Sequence, residues 1–133
     1  MSTTYDFGAG PVPAHRHKNP DGKLGGWVAD TATVAPTALI GENAEVSGGA
    51  MVYGNAMVYG NAIVTGNAKV CDDARVSGGA MVSGFAQVYG NARVYGNAMV
   101  YGDAQVFETA QVSGGAMVSE FAQVYGTARV SRN

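Results

Sequence analysis

Apolar and polar positions follow a period of six residues through most of this chain. Seventeen alanines stand six residues apart from Ala32 to Ala128, and the residue two places after each is valine, or isoleucine at Ile40. Because six is even and side chains alternate along a β-strand, positions 1 and 3 of each hexapeptide point to one side and positions 2 and 4 to the other. Positions 5 and 6 are mostly Gly-Asn, Gly-Asp or Gly-Gly, which tolerate the positive φ of a sharp corner. The pattern predicts very short strands joined by corners.

A single short strand cannot bury its inward face, so the hexapeptides must coil and stack. Alanine and valine at the inward positions leave a narrow interior, which suits a triangular coil of three hexapeptides, or 18 residues. Residues 26–133 give six such coils, and at about 4.8 Å per coil the solenoid would be about 29 Å long. The predicted fold is therefore all-β: a parallel β-helix of about six coils.

The repeated A-x-V-x-G-N hexapeptide resembles the hexapeptide-repeat superfamily over about four-fifths of the chain. The resemblance implies a left-handed parallel β-helix, and the hand comes from it alone, because ordinary parallel crossovers are right-handed. Similar family members are usually homotrimers of parallel prisms, so the resemblance implies a homo-oligomer, with a trimer favoured. The regular repeat after an NPDG…GGWV segment also looks like that of small proteins found in prophage and bacterial genomes.

Residues 1–25 lie outside the repeat. Pro11 and the proline two residues later favour an extended segment, and the run 19–22 (Asn-Pro-Asp-Gly) has proline and glycine where a tight turn requires them. We predict that this segment is a short hairpin or extended cap over the β-helix of residues 26–133, with Trp27 as a bulky plug of its open end.

Steps of 18 residues sort the outward positions of the coils into three faces. At position 2 the first face carries Thr33, Met51, Lys69, Gln87, Gln105 and Gln123. The second face carries Leu39, Met57, Arg75, Arg93, Gln111 and Arg129. The third face carries Glu45, Ile63, Met81, Met99 and Met117.

The third face supplies the predicted interface. Side chains one coil apart touch, so its apolar residues would form a contiguous methionine stripe: Ile63, Met81, Met99 and Met117. Phe85 and Phe121 occupy corners between the third and first faces, where asparagine or glycine is usual. An apolar stripe on a soluble protein typically marks a binding surface, and methionine adapts well there. The alternative is a repeat that drifts by duplication, in which outward methionines are tolerated. We favour self-association, with another protein partner as a second possibility.

Position 4 of the first face forms an aromatic column: Ala35, Tyr53, Cys71, Tyr89, Phe107 and Tyr125. Stacked aromatic rings on adjacent strands stabilise a solenoid by themselves, and this is the favoured interpretation. The alternative is a platform for a base or sugar, with Tyr89 and Tyr125 as possible ligand-binding residues.

Arg75, Arg93 and Arg129 share the second face, with the first two a single coil apart. Like charges at this distance repel unless they are compensated. Asp72 and Asp73 lie at the preceding corner and could pair with Arg75, which would make this a solvated, partly paired face. The alternative is an anion site for a nucleotide or a phosphorylated ligand.

The superfamily that the chain resembles includes acyltransferases and γ-class carbonic anhydrases. The acyltransferases generally use a histidine base and often extrude loops, but no histidine follows His17 and no loop interrupts the repeat. The carbonic anhydrases bind their metal with three histidines, and this chain has only His15 and His17. These two alternate along the chain and could share a face, but two ligands are a weak metal signal, so we expect surface histidines, no metal and no cofactor. No catalytic residue can be carried over. We expect a noncatalytic oligomeric scaffold or binding protein, for a protein or a small anionic ligand, with an acyltransferase-like enzyme at a subunit interface as the alternative.

Composition changes this picture little. The net charge of −2 gives no general attraction for nucleic acid or for an anionic membrane. No stretch resembles a signal peptide or a membrane span. The single Cys71 cannot form an internal disulfide and has no histidine base that would make it a nucleophile. A cytoplasmic protein is the expectation.

Overall fold

The computed structural model describes residues 4–8 and 10–132, without the side chain of Arg132; residues 1–3, 9 and 133 of the two predicted segments lie outside it. No described residue is helical, so this part of the chain has no helix that could cross a membrane. The strands, most of them only two residues long, are β1 Thr4–Asp6, β2 Pro11–Lys18, β3 Leu24–Ala29, β4 Thr33–Val34, β5 Leu39–Ile40, β6 Glu45–Val46, β7 Met51–Val52, β8 Met57–Val58, β9 Ile63–Val64, β10 Lys69–Val70, β11 Arg75–Val76, β12 Met81–Val82, β13 Gln87–Val88, β14 Arg93–Val94, β15 Met99–Val100, β16 Gln105–Val106, β17 Gln111–Gly114, β18 Met117–Val118, β19 Gln123–Val124 and β20 Arg129–Arg132.

Every third strand of the repeat joins the same parallel sheet. Strands β4, β7, β10, β13, β16 and β19 form the first face, and β5, β8, β11, β14, β17 and β20 form the second. The third face contains β3, β6, β9, β12, β15 and β18, and β2 and β1 extend it by antiparallel pairing. Partners in the parallel ladders are 18 residues apart, as in Arg75 beside Arg93. The predicted parallel β-helix of about six coils and its three outward columns are therefore confirmed, while the hand of the coil stays a prediction.

The interior is the narrow column of small side chains that the hexapeptide predicts. From Ala38 to Val112 every inward alanine, valine and isoleucine is at most 1% exposed. Backbone ladders run between coils, so that the N–H of Met51 donates to the carbonyl of Ala68 and the N–H of Tyr53 to that of Val70. The outward side chains are thus mounted on a rigid frame that contributes none of its own polar groups to them.

The corners depend on position 5 of the hexapeptide. At Gly66 the backbone has φ +66°, and a Cβ there would lie 2.8 Å from the backbone nitrogen of Gly84 in the next coil. Asp72, Glu108 and Glu120 occupy the same position with φ of 60°, 61° and 58°. A side chain in this region is strained, so these three corners carry backbone strain that the glycine corners avoid.

The N-terminal segment folds as a hairpin on the edge of the third face. The chain reverses at 19–22 as predicted, where the N–H of Gly22 donates to the Asn19 carbonyl at 2.8 Å. Strand β3 runs into the first coil, and the division of the chain at residue 26 stays a prediction. Trp27 does not plug the coil, as we had expected: Val28 fills the interior, and Trp27 points outward and stacks on Tyr5 at 4.8 Å between ring centroids. The reason is register, because Trp27 pairs with the outward Glu45 and so occupies position 2.

Two side chains of the hairpin complete the open edge of the second face. Within the coils, the backbone groups of positions 1 and 3 bond to the preceding coil, which β5 lacks. The Asn19 amide takes that place by accepting from the Ile40 N–H at 2.9 Å and donating to the Ile40 carbonyl at 3.0 Å. His17 Nε2 lies 2.9 Å from the Ala38 carbonyl and must donate to it, because a carbonyl only accepts. A histidine and an asparagine therefore replace a strand.

The other end of the coil faces solvent. Ala122 and Ala128 are inward by register but exposed, whereas Ala110, one coil earlier, is completely buried. Nothing in the described part of the chain lies over this edge.

Candidate functional site

The methionine stripe is continuous in the structure. Ile63, Met81, Met99 and Met117 are direct register partners on β9, β12, β15 and β18. The first three are half-buried by their neighbours, and Met117 at the end of the row is 55% exposed. The row stops at Glu45, whose carboxylate accepts a hydrogen bond from the Tyr5 hydroxyl at 2.9 Å. The third face therefore presents an uncharged apolar row with a polar residue at its N-terminal end.

Phe85 and Phe121 are among the most exposed large apolar side chains, at 61% and 81%. Both lie at the corner between the third and first faces, as the sequence indicates. Asp103 occupies the same corner of the coil between them, because its backbone bonds to Glu120 just as that of Phe85 bonds to Gly102. At about 4.8 Å per coil the two rings are about 10 Å apart, so they are separate contacts beside the stripe.

The aromatic column of the first face is a stack of rings in its C-terminal half. The Tyr89 and Phe107 centroids are 5.0 Å apart with an interplanar angle of 2°, and those of Phe107 and Tyr125 are 5.4 Å apart at 11°. Phe107 thus covers one ring face of each tyrosine. The favoured structural interpretation of Tyr89 and Tyr125 accounts for these contacts.

Cys71 interrupts that column between Tyr53 and Tyr89. Burial, reinforced by the charge of Asp72, raises the pKa of the Cys71 thiol, although the hydrogen bond with Tyr53 acts in the opposite sense. The same hydrogen bond is the largest cause that raises the pKa of Tyr53. A raised thiol pKa lowers the thiolate fraction, so the environment of Cys71 opposes nucleophilic chemistry.

The arginines of the second face are placed as predicted, but their partner is not. Arg75 and Arg93 are direct register partners, and Gln111 separates Arg93 from Arg129. All three are exposed. The pairing of Arg75 with Asp72 or Asp73 that we had expected is wrong: among the described residues no carboxylate lies within 4.0 Å of an arginine side chain. Asp72 instead turns back to its corner, where it accepts from the Gly90 N–H at 3.1 Å.

Beside the arginines lies a feature that sequence reasoning missed. Position 4 of the second face carries Tyr59, Ser77 and Tyr95 in three successive coils, and with Arg75 and Arg93 they line a groove of about 210 Å³. A second groove of about 470 Å³ opens on the other side of the same arginines, next to Asn55, Asp73 and Asn91. The 18-residue spacing of the two tyrosines is the signal that would have revealed the first groove.

The hairpin creates a second feature that the sequence did not indicate. An apolar groove of about 430 Å³ lies between the N-terminal segment and the corner of the first coils, and is lined by residues such as Phe7, Val12 and Thr65. At its rim, Asp30 Oδ1 lies 2.8 Å from His15 Nδ1. Both side chains are more than half exposed, so this ion pair contributes little to stability.

The two histidines do not share a face, and the prediction that both lie on the surface is wrong for one of them. His15 is exposed, but His17 is 6% exposed because the register of β2 against β3 shifts between Arg16 and Lys18. Such a bulge inserts a residue and breaks the alternation of side chains. No group of three or more potential ligands among the described residues is arranged to hold a metal ion.

Comparison with known proteins gives one family match. The model of the YdcK β-solenoid repeat matches residues 50–66, 68–84, 86–96 and 92–108. The first three segments begin at Ala50, Ala68 and Ala86, so each match starts at the same point of an 18-residue coil. The chain is a hexapeptide-repeat β-solenoid. The matched segments cover less than half of it, and the solenoid continues in phase on either side of them. No curated protein and no solved structure is significantly similar to it.

Proposed function

We propose that this solenoid is a noncatalytic oligomeric scaffold in which three parallel copies bury the corner between the third and first faces. The observation that supports the proposal is the methionine stripe, four apolar side chains in register on one flat sheet. A contiguous apolar row on a rigid surface favours association, because its burial orders few backbone groups. The resemblance to trimeric hexapeptide proteins supports the threefold arrangement.

The order of side chains around the corner gives this trimer complementary surfaces. On the third face position 4 lies nearest the corner and position 2 farther away, and on the first face the order is reversed. Between two parallel copies, the methionine stripe of one would face the aromatic column of the next. Contacts between sulfur and aromatic rings are favourable. Phe85 and Phe121, at the corner itself, would lie nearest the threefold axis.

Small polar side chains allow the two faces to approach near that axis. Position 4 of the third face carries Ser47, Thr65, Ser83, Tyr101 and Ser119, of which four are small hydroxyl residues. Opposite them would stand the glutamines at position 2 of the first face, such as Gln87 and Gln105, whose amides can donate to and accept from hydroxyls. An apolar outer contact and a polar inner one would therefore coexist.

The proposal predicts a solution mass of three times the 13.6 kDa of the chain. Met99→Glu with Met117→Glu would place charges in the contact, and we expect monomers by light scattering after size-exclusion chromatography. The matched control is Met57→Glu with Gln111→Glu, which introduces acids at position 2 of the outward second face and should leave the mass unchanged. A monomeric parent protein, or a trimer that tolerates both changes in the stripe, would remove the proposal.

A second candidate function is acyl transfer, which the His15–Asp30 pair beside an apolar groove favours. A histidine oriented by a carboxylate is the usual arrangement of a general base. Saturable turnover of an acyl-CoA donor that is lost in His15→Ala would support this function over a pure scaffold, and no turnover above the uncatalysed rate would reject it.

A further inference from the structure

The second face lacks one ring in a row of otherwise stacked positions. On the first face the rings of Tyr89, Phe107 and Tyr125 occupy three successive coils, with centroid distances of 5.0 and 5.4 Å. The equivalent row on the second face is Tyr59, Ser77 and Tyr95, so the middle ring is replaced by a hydroxymethyl group. We call the space over Ser77 between the two tyrosines the ring slot.

The ring slot has the dimensions of one aromatic ring. Three successive coils span about 10 Å, which the first face shows to be enough for a ring between two others at stacking distance. The groove at the slot measures about 210 Å³, and an apolar cavity of about 150 Å³ in another protein binds benzene. Tyr59 is half-buried and Tyr95 is 37% exposed, so both rings are accessible to a ligand.

The two arginines that line the slot lack a counter-charge. Arg75 precedes Ser77 by two residues on the same outward side, and Arg93 stands in the same relation to Tyr95. Their backbones are direct register partners, about 4.8 Å apart. In the part of the chain that the structure describes, neither guanidinium has a carboxylate within 4.0 Å. Two adjacent positive charges without compensation repel each other, and an anion between them would relieve that repulsion.

We propose that the ring slot and the arginine pair together bind an aromatic ring that carries a phosphate group. The ring stacks between Tyr59 and Tyr95, and the phosphate accepts hydrogen bonds from Arg75 and Arg93. The site goes beyond the proposed scaffold and does not depend on it, because the second face lies outside the trimer corner.

Phosphate suits the pair better than a single-charged group does. A guanidinium donates in a planar fork that matches phosphate oxygens, and a phosphate has enough oxygens to accept from two forks at once. A nucleoside monophosphate and a phosphotyrosyl side chain both offer a ring joined to a phosphate. The distance between ring and phosphate differs in these two sources, so direct comparison separates them.

Isothermal titration calorimetry of the full chain with phenyl phosphate, inorganic phosphate, adenosine monophosphate and phosphotyrosine tests the site. We expect phenyl phosphate to bind at least about tenfold more tightly than inorganic phosphate, since stacking on aromatic side chains contributes strongly to the affinity of planar ligands. Arg93→Ala should weaken binding about tenfold. The matched control Arg129→Ala removes the same charge two coils away on the same face and should leave the affinity unchanged.

Ser77→Phe fills the slot with the missing ring. We expect it to abolish the preference for phenyl phosphate over inorganic phosphate, while Ser113→Phe, one coil beyond Tyr95, keeps that preference. Circular dichroism checks that both variants fold, and the arginine variants test the site should Ser77→Phe fail to fold. Tighter binding of adenosine monophosphate or of phosphotyrosine supports the proposal and identifies the source. No binding of phenyl phosphate, equal affinity for inorganic phosphate, or an equal loss in Arg129→Ala would overturn it, the last because it indicates unspecific charge attraction.

Discussion

Asn19→Ala should destabilise the N-terminal end of the solenoid more than its place in a loop suggests. The Asn19 amide substitutes for the strand that β5 lacks, and it satisfies both the N–H and the carbonyl of Ile40. Ile40 is 0% exposed, so truncation leaves two buried backbone groups without partners. The neighbouring Gly25 leaves no space for another side chain to take over, because a Cβ on it would lie 2.5 Å from Asn19 Nδ2.

The cost follows from those two groups. A buried donor or acceptor that loses its partner costs about 1–3 kcal/mol, so we expect a loss of about 2–4 kcal/mol in the free energy of unfolding, with water that enters the gap favouring the lower end. For a chain of this length the melting temperature should fall by at least about 6 °C. In a solenoid each coil contacts only its neighbours, so the first coil can also open by itself.

Two measurements check this prediction. Thermal unfolding followed by circular dichroism gives the global effect, and hydrogen exchange of the Ile40 amide gives the local one. The control is Asn61→Ala: Asn61 lies at an exposed corner, and its backbone N–H stays bonded to Gly78. If Asn19→Ala and Asn61→Ala unfold within about 0.5 kcal/mol of each other and exchange at Ile40 is unchanged, the amide does not replace a strand.

Three further predictions concern single side chains. Glu108→Gly should raise the free energy of unfolding by up to about 1 kcal/mol, because it removes a side chain from a backbone with positive φ; a lower midpoint in urea would contradict this. The hydrogen bond to Glu45, followed by burial and nearby negative charge, raises the pKa of Tyr5. The stability from this phenol is therefore fully present below its usual pKa of about 10 and is lost as the pH rises through the folded-state pKa, so the difference in melting temperature between the parent and Tyr5→Phe should shrink from pH 8 to pH 11. Burial raises the pKa of the Cys71 thiol, so iodoacetamide should alkylate it at pH 8 more slowly than it alkylates glutathione, and equal rates would show an ordinary thiol.

Most of the frame and the predicted faces follow from local sequence. A period of six keeps alanine and valine on the inward side in every coil, so stepping through the sequence by 18 identifies the partners of Arg75, Met81 and Gln87 without coordinates. The same step would also have found the ring slot, had position 4 of the second face been followed as that of the first face was. Strand pairing in this fold is a consequence of chain length per coil, and the sequence states that length.

The tertiary structure decided what does not repeat. The bulge between Arg16 and Lys18 turns His17 inward, and only the position of the hairpin shows that His17 and Asn19 complete the edge of β5. The direction of a long side chain is also not written in the period, which is why Asp72 bonds to Gly90 and leaves Arg75 without a partner. A periodic sequence determines where backbones lie because each coil repeats the same constraint, whereas side chains at its ends and on its surface choose among contacts that only the folded chain brings together.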